Sequence, residues 1–163
     1  MSFINDFVTV VENLLPKELD VLFLSMVPFI ELKGAIPIEI SLGLKSYSAL
    51  FFGYLGSILP CPLIIFLVNA LLRKIKEVGK FESQIQRLER RLLRKGKNVE
   101  KLGLIGLLIF VSIPLPGTGV WSGSLLAGLF KLDNKLSMLV IILGNLIAGI
   151  IVTLLTMGVV HIF

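Results

Sequence analysis

The sequence is poor in the residue types that usually carry enzyme chemistry. Its 163 residues include one cysteine, Cys61, and one histidine, His161. A single cysteine cannot form an internal disulfide, and no Cys/His set has the spacing of a metal site. Neither a P-loop nor a nucleophile paired with a base can be recognised. We therefore expect no cofactor, no metal site and no enzymatic activity.

Charge is missing from three long stretches of the chain. Residues 46–72, 102–130 and 136–163 contain no Asp, Glu, Lys or Arg. Hydrophobic residues make up 55% of the chain and its mean hydropathy is +0.93, which is typical of integral membrane proteins. No cleavable signal peptide is indicated, because the first charged residues, Asp6 and Glu12, are acidic.

The net charge of +5 comes from a single segment. Residues 73–101 contain eleven basic and four acidic residues, whereas the rest of the chain contains five basic and seven acidic ones. Because the basic charge is confined to one loop, nucleic acid is not an expected partner. Apolar residues in this loop recur at spacings of three and four, which predicts an amphipathic helix. The positive-inside rule places this helix in the cytoplasm and favours one orientation of the chain.

The uncharged residues 102–130 are interrupted in the middle. Pro114, Pro116 and the glycines at 117, 119 and 123 make one continuous helix unlikely to form. Each flank has twelve residues and would be about 18 Å long as a helix, roughly half a bilayer core. We therefore predict a re-entrant helical hairpin, with Pro114, Pro116 and Gly123 among the residues that break the helix.

Residues 20–45 show the same interruption with charges added. Pro28, Gly34 and Pro37 are predicted to break the helix here. Glu31, Lys33 and Glu39 lie in the predicted turn, where a charge is costly unless it is paired or hydrated. A second re-entrant hairpin with a charged turn is therefore expected over residues 20–45.

The predicted fold is an all-α integral membrane protein built from an inverted repeat. Each unit is a re-entrant hairpin, residues 20–45 or 102–130, followed by a transmembrane helix, residues 46–72 or 136–161. Residues 1–16 form an interfacial amphipathic helix, and residues 73–101 join the units, all within one membrane domain. Aligning Pro28 with Pro114 also places Lys45 on Lys131. The alternative is four crossings by ordinary kinked helices.

The two acidic residues of the first turn are candidate proton carriers. Glu31 and Glu39 are eight residues apart, so with Gly34 and Pro37 between them only the turn could bring them together. Burial away from water favours the neutral form of a carboxyl group, which suits proton exchange. Alternatively, Glu31 and Lys33 form a fixed pair that holds the hairpin, or one Glu caps a helix.

The second turn offers backbone groups rather than charges. Gly117, Thr118 and Gly119 precede the second half-helix, whose N-terminus can receive an anion. The same end could instead be satisfied by a carboxylate of the first hairpin. Trp121 could line a cavity, although tryptophan often anchors the membrane interface. Thr118 and Ser122 are expected to hydrogen-bond backbone groups that the prolines leave free.

Two motifs resemble those of a known family: E-L-K-G-A-I-P at residues 31–37 and P-L-P-G-T-G-V-W-S-G at residues 114–123. The family comprises bacterial and archaeal proteins called putative small multidrug export proteins. Its predicted topology is similar to that of the DedA superfamily, whose members carry two re-entrant hairpins and are implicated in lipid translocation or proton-coupled transport. The resemblance implies a multi-pass protein of a prokaryotic plasma membrane. DedA proteins usually have arginines in the second hairpin, and this chain has none there.

These observations predict a proton-coupled secondary transporter. Its substrate site would lie between the two hairpin tips at the bilayer midplane, and it would move an amphipathic or anionic small molecule or a lipid. One alternative is a flippase or scramblase for polyprenyl phosphate or phospholipid. Another is a membrane assembly protein that transports nothing. The expected partners are the bilayer, protons, the substrate and a second copy in a parallel homodimer.

Overall fold

The computed structural model describes residues 16–67, 99 and 102–160. The helices in this part of the chain are α1 (Lys17–Met26), α2 (Glu31–Ser41), α3 (Ser46–Ile58), α4 (Leu104–Ser112), α5 (Val120–Leu129) and α6 (Asn134–Val160). Residues 61–67 are also helical, and no described residue lies in a strand. The predicted all-α class is therefore confirmed for the described residues. The predicted helices over residues 1–16 and 73–101 lie outside the described residues, apart from residues 16 and 99.

Two helical stretches are long and apolar enough to cross a membrane. They are Ser46–Leu67, with 22 residues, and Asn134–Val159, with 26 residues. At about 1.5 Å per residue both exceed the roughly 30 Å of a bilayer core. Helical structure is interrupted at residues 59–60 of the first stretch, beside Pro60 and Pro62, because proline disrupts the regular hydrogen bonding of a helix. The two stretches agree with the predicted transmembrane helices.

The chain divides into two compact units. The first unit comprises the described residues of Met1–Leu59 and Ala148–Phe163, and the second unit those of Pro60–Ile147. Each long helix therefore begins in one unit and ends in the other.

In the first unit, α1 packs against both α2 and α3, and α2 packs against α3. A turn over residues 27–30 joins α1 to α2. The buried apolar core of this unit consists of Val21, Leu24, Leu32, Ala35, Ile36, Leu44, Ala49 and Val152. Apolar side chains from three helices and from the end of α6 thus enclose one core.

Small residues on α3 allow the first unit to pack closely. A Cβ atom added at Gly56 would lie 2.0 Å from the carbonyl oxygen of Leu22, and one at Gly53 would lie 3.0 Å from Cγ1 of Ile36. Ser57 is also buried on this face. The backbones of α1 and α3 can approach this closely only because glycine has no side chain.

The second unit contains α4, α5 and the first part of α6. Its apolar core consists of Cys61, Ile65, Val99, Leu107, Phe110, Val111, Val120, Leu126, Ala127 and Ile141. A Cβ atom added at Gly123 would lie 2.7 Å from Cγ2 of Val111. A second glycine, Gly144 of α6, faces α4 in the same way, with the Leu108 carbonyl oxygen 3.1 Å from its added Cβ.

Three of the six residues predicted to break the hairpins lie inside helices instead. Gly34 and Pro37 are within α2, and Gly123 is within α5. Proline removes its own N–H from a helix and its ring crowds the carbonyl group four residues earlier, yet α2 keeps its helical form around Pro37 while packed against α1 and α3. Gly34 donates its N–H to the Ile30 carbonyl at 2.9 Å, as a helical residue does. Gly123 serves close packing rather than a turn, which corrects the sequence interpretation of all three residues.

Candidate functional site

The first unit buries three acidic side chains. Asp20 on α1 is 1% exposed, and Glu31 and Glu39 on α2 are 6% and 0% exposed. No Lys or Arg is among the buried residues of the described chain. Acidic residues are rarely buried to this degree, and where they are, a functional role is a reasonable first hypothesis.

Glu31 and Glu39 are not brought together by the turn, so that part of the sequence interpretation is wrong. Because α2 runs without a break from Glu31 to Ser41, the two residues stand eight positions apart on one helix, about 12 Å along its axis. The turn that joins α1 and α2 is formed earlier, around Pro28.

Lys33 lies beside Glu31. The ammonium nitrogen of Lys33 is 3.6 Å from Oε2 of Glu31, and the two side chains are 15% and 8% exposed. This is the pair that was considered as an alternative role for Glu31. In a site with so little water, the ammonium group favours the ionised form of the neighbouring carboxyl. Proton uptake and ion pairing at Glu31 therefore oppose each other.

Asp20 was missed by the sequence analysis, which began the first hairpin at residue 20 without assigning this side chain a role. The Lys17 ammonium donates a hydrogen bond to the Leu42 carbonyl, so α1 and α2 run antiparallel with residue 17 level with residue 42. In this register Asp20 lies at the level of Glu39. A helical pattern beginning at Lys17, with Asp20, Val21, Leu24 and Ser25 on one face, was the signal available in the sequence.

The backbone of the first turn adopts unusual conformations. Phe29 has φ 79° and Glu31 has φ 47°, values in the left-handed region that non-glycine residues adopt rarely and at a cost of about 1–3 kcal/mol each. The Phe29 side chain is fully exposed, so packing of its ring does not explain this conformation. Glu31 thus begins α2 in a conformation that would suit glycine better.

Thr118 organises the second turn. Its hydroxyl oxygen lies 2.7 Å from the Ile113 carbonyl oxygen and 2.8 Å from the Leu115 carbonyl oxygen, so its single O–H donates to one of them or is shared between the two, and it accepts the N–H of Leu115 at 3.2 Å. Gly117 and Gly119 have φ values of 79° and 126°. The expected bonding of Thr118 to backbone near the prolines is confirmed, and the two glycines occupy conformations that few other residues tolerate.

Trp121 lies half-buried in the first turn of α5. Its role, and the role of Gly117 and Gly119 at an anion-receptive helix end, stay predictions. The described residues contain no group of three His, Cys, Asp or Glu side chains that could hold a metal ion.

Replacing Thr118 tests the turn directly. Thr118→Val keeps the shape of the side chain but leaves backbone groups of residues 113 and 115 without their partner. We expect a loss of about 1–3 kcal/mol in stability, measured by thermal unfolding of the purified protein in detergent. Thr118→Ser retains the hydroxyl and should unfold within a few degrees of the wild type. Equal stability of the Val and Ser variants would contradict the assigned role.

Comparison with known proteins identifies one family. A family model described as "Putative small multi-drug export protein" matches residues 31–151, which include α2, α3, α4 and α5. No curated protein and no solved structure matches the chain.

Proposed function

The chain belongs to the family of putative small multi-drug export proteins, and from this premise we propose that it is a membrane transporter that exports an amphipathic cation in exchange for protons. The observation that carries the proposal is the burial of Asp20, Glu31 and Glu39 in one unit. The family description supports export, and the buried carboxyl groups supply a means of coupling it to protons.

Charge balance favours a cation over the anionic substrate considered from sequence. Among the described residues of this unit, three acidic side chains are buried and no basic one is, while Lys33 lies half-buried beside Glu31. Removing a carboxylate from water costs several kcal/mol unless a proton or a cation neutralises it. A site of this kind can hold protons in one state and a cationic substrate in the other. Binding the cation would then release protons.

Helix lengths support the re-entrant architecture that was predicted from sequence. The helices on either side of the two turns have 10, 11, 9 and 10 residues, or about 14–17 Å each. Such helices reach only about half-way across a bilayer core, whereas the two long helical stretches can span it. Broken helices beside ionisable residues are the arrangement in which transporters place their substrate sites. We propose that α1 with α2, and α4 with α5, enter the membrane without crossing it.

Transport by purified protein in liposomes tests this function. A pH gradient is imposed across the liposome membrane in either direction. Ethidium, a lipophilic cation, should move towards the side with the higher proton concentration, opposite to the flow of protons. Glu31→Gln should slow this movement by about tenfold or more, since a neutral amide cannot carry the proton. Glu18→Gln, on the half-buried Glu18 of α1, is the matched control and should transport as the wild type does.

The same vesicles separate export from lipid translocation. A fluorescent phospholipid in the inner leaflet should stay there while ethidium moves. Movement of the lipid without movement of ethidium would replace the export proposal by the lipid-translocation alternative. Undiminished transport by Glu31→Gln would show that Glu31 does not carry the coupling proton.

A further inference from the structure

The first hairpin helices of the two units bury the same positions. The buried residues of α1 are Asp20, Val21, Leu24 and Ser25. The buried residues of α4 are Gly106, Leu107, Phe110 and Val111. Each residue of the second set stands 86 positions after its counterpart in the first. The spacing also relates Pro28 to Pro114 in the two turns.

The second hairpin helix and the long helix repeat at a spacing of 88. The buried positions of α2 are 31, 32, 35, 36 and 39, and positions 119, 120, 123, 124 and 127 are all buried in or beside α5. On the long helices, Ala49, Gly53, Gly56 and Ser57 correspond to Ser137, Ile141, Gly144 and Asn145. The match of buried positions continues along both long helices to residues 65 and 153. The two-residue change in spacing falls in the second turn, which is the longer one.

Three backbone features repeat at the same spacings of 86 and 88 residues. Gly56 faces the carbonyl of Leu22, and Gly144 faces that of Leu108. The second hairpin helices end alike. The Leu44 N–H donates to the backbone carbonyl of Glu39 at 2.9 Å, and the Leu132 N–H donates to the backbone carbonyl of Ala127 at 3.0 Å. Ser46 and Asn134 begin the long helices. Burial, contacts and helix ends therefore agree on one correspondence between the units.

This correspondence corrects one detail of the alignment made from sequence. Gly43, not Lys45, matches Lys131. Both residues have a positive φ, 89° at Gly43 and 51° at Lys131. Both lie just after the end of a helix, where a residue in the left-handed conformation is common. The spacing of 86 holds for the first hairpin helix and its proline, and it no longer holds after the second turn, which is the longer one.

The acidic residues break the correspondence. The positions that match Asp20, Glu31 and Glu39 carry Gly106, Gly119 and Ala127. Glu31 and Gly119 both have a positive φ, 47° and 126°, so the second unit has glycine where the first unit holds a glutamate against its backbone preference. Strain of this kind persists at functional sites because the side chain is needed there. A residue kept only for the fold would gain stability from glycine.

We propose that residues 17–67 and 102–160 are two copies of one three-helix module, a hairpin followed by a long helix, and that proton exchange belongs to the first copy alone. The second copy supplies the same scaffold with small uncharged residues at the three matching positions. The assignment of proton exchange rests on the proposed transport function, whereas the equivalence of the two modules does not.

The equivalence is tested by comparing the Tm of a Gly variant with that of an Ala variant at positions 31 and 39. Glu31→Gly and Glu31→Ala both remove the carboxyl group and the pair with Lys33, so they differ only in backbone preference. If position 31 is equivalent to 119, the Gly variant has the higher Tm. At position 39, inside α2 and equivalent to Ala127, the order is reversed and Glu39→Ala is more stable than Glu39→Gly. A higher Tm for Ala than for Gly at position 31 overturns the correspondence there.

The assignment of protons to the first module is tested by chemical labelling of the full-length protein in membranes. Dicyclohexylcarbodiimide reacts with protonated carboxyl groups in apolar surroundings, and mass spectrometry locates the product. We expect labelling at Asp20, Glu31 or Glu39 at neutral pH, and none at the exposed Asp133 of the second module. Absence of label at all three first-module positions overturns the assignment. Because no substrate is involved, labelling without ethidium transport would reject the transport function and keep the proton site.

Discussion

Gly56→Ala is expected to be the most damaging single substitution among the glycines that pack helices together in the described chain. The added methyl group would lie 2.0 Å from the Leu22 carbonyl oxygen, 2.8 Å from its carbonyl carbon and 3.0 Å from its Cα. All three atoms are backbone, so no side chain can rotate away, and α1 must separate from α3. We expect a loss of about 3 kcal/mol or more or failure to accumulate in the membrane.

A graded series makes this prediction specific. At Gly144 an added Cβ would lie 3.0 Å from Cβ of Val111 and 3.1 Å from the Leu108 carbonyl oxygen, and at Gly158 it would meet nothing within 4 Å. Gly144→Ala should therefore cost less than Gly56→Ala. Gly158→Ala should be neutral or raise stability by up to about 1 kcal/mol, because alanine favours helix. Thermal unfolding in detergent measures all three. Gly56→Ala unfolding at the same temperature as Gly158→Ala would refute the close contact of α1 with α3.

Glu39→Gln is expected to abolish proton release without unfolding the protein. Glu39 is 0% exposed and lies level with Asp20 on the neighbouring helix. Glutamine has nearly the same shape, and its neutral amide avoids the cost of burying a carboxylate away from water. Under the proposed mechanism, adding ethidium to wild-type protein in weakly buffered detergent should release protons that a pH indicator detects. We expect the release from Glu39→Gln to fall to about a tenth or less.

The controls for this measurement separate coupling from folding. Glu18→Gln, on the half-buried Glu18 of α1, should release as many protons as the wild type. Circular dichroism and the Tm of Glu39→Gln should match those of the wild type, so that loss of release cannot be assigned to unfolding. Full proton release from a folded Glu39→Gln would exclude Glu39 from the coupling step and leave Asp20 and Glu31.

The sequence was a reliable guide wherever one kind of interaction dominated. Apolar composition and length predicted the two helical stretches that are long enough to cross a membrane, because no other property enters that prediction. Pro28, Pro114 and Pro116 lie in or beside the turns that they predicted. The role of Thr118 was also accessible, since a hydroxyl near two prolines has few other partners.

Sequence reasoning failed where packing competes with local preference. Gly34, Pro37 and Gly123 were interpreted as breaks, yet all three lie in helices. Proline costs a helix about 3 kcal/mol, which neighbouring helices can offset in α2. Glycine has two distinct uses, a flexible backbone and a missing side chain, and the sequence does not distinguish them. Only the neighbouring atoms show that Gly123 serves the second use.

By itself, the sequence determined that this chain is an α-helical membrane protein of the small multi-drug export family, with two broken apolar segments and acidic residues in the first. Tertiary structure decided which breaks are turns, that Asp20 joins Glu31 and Glu39 among the buried acids, and that Glu31 begins its helix with a positive φ. The physical reason is that hydropathy is a property of each segment, whereas burial and backbone strain depend on which helices pack together. Those contacts link residues far apart in the chain, such as Leu22 and Gly56.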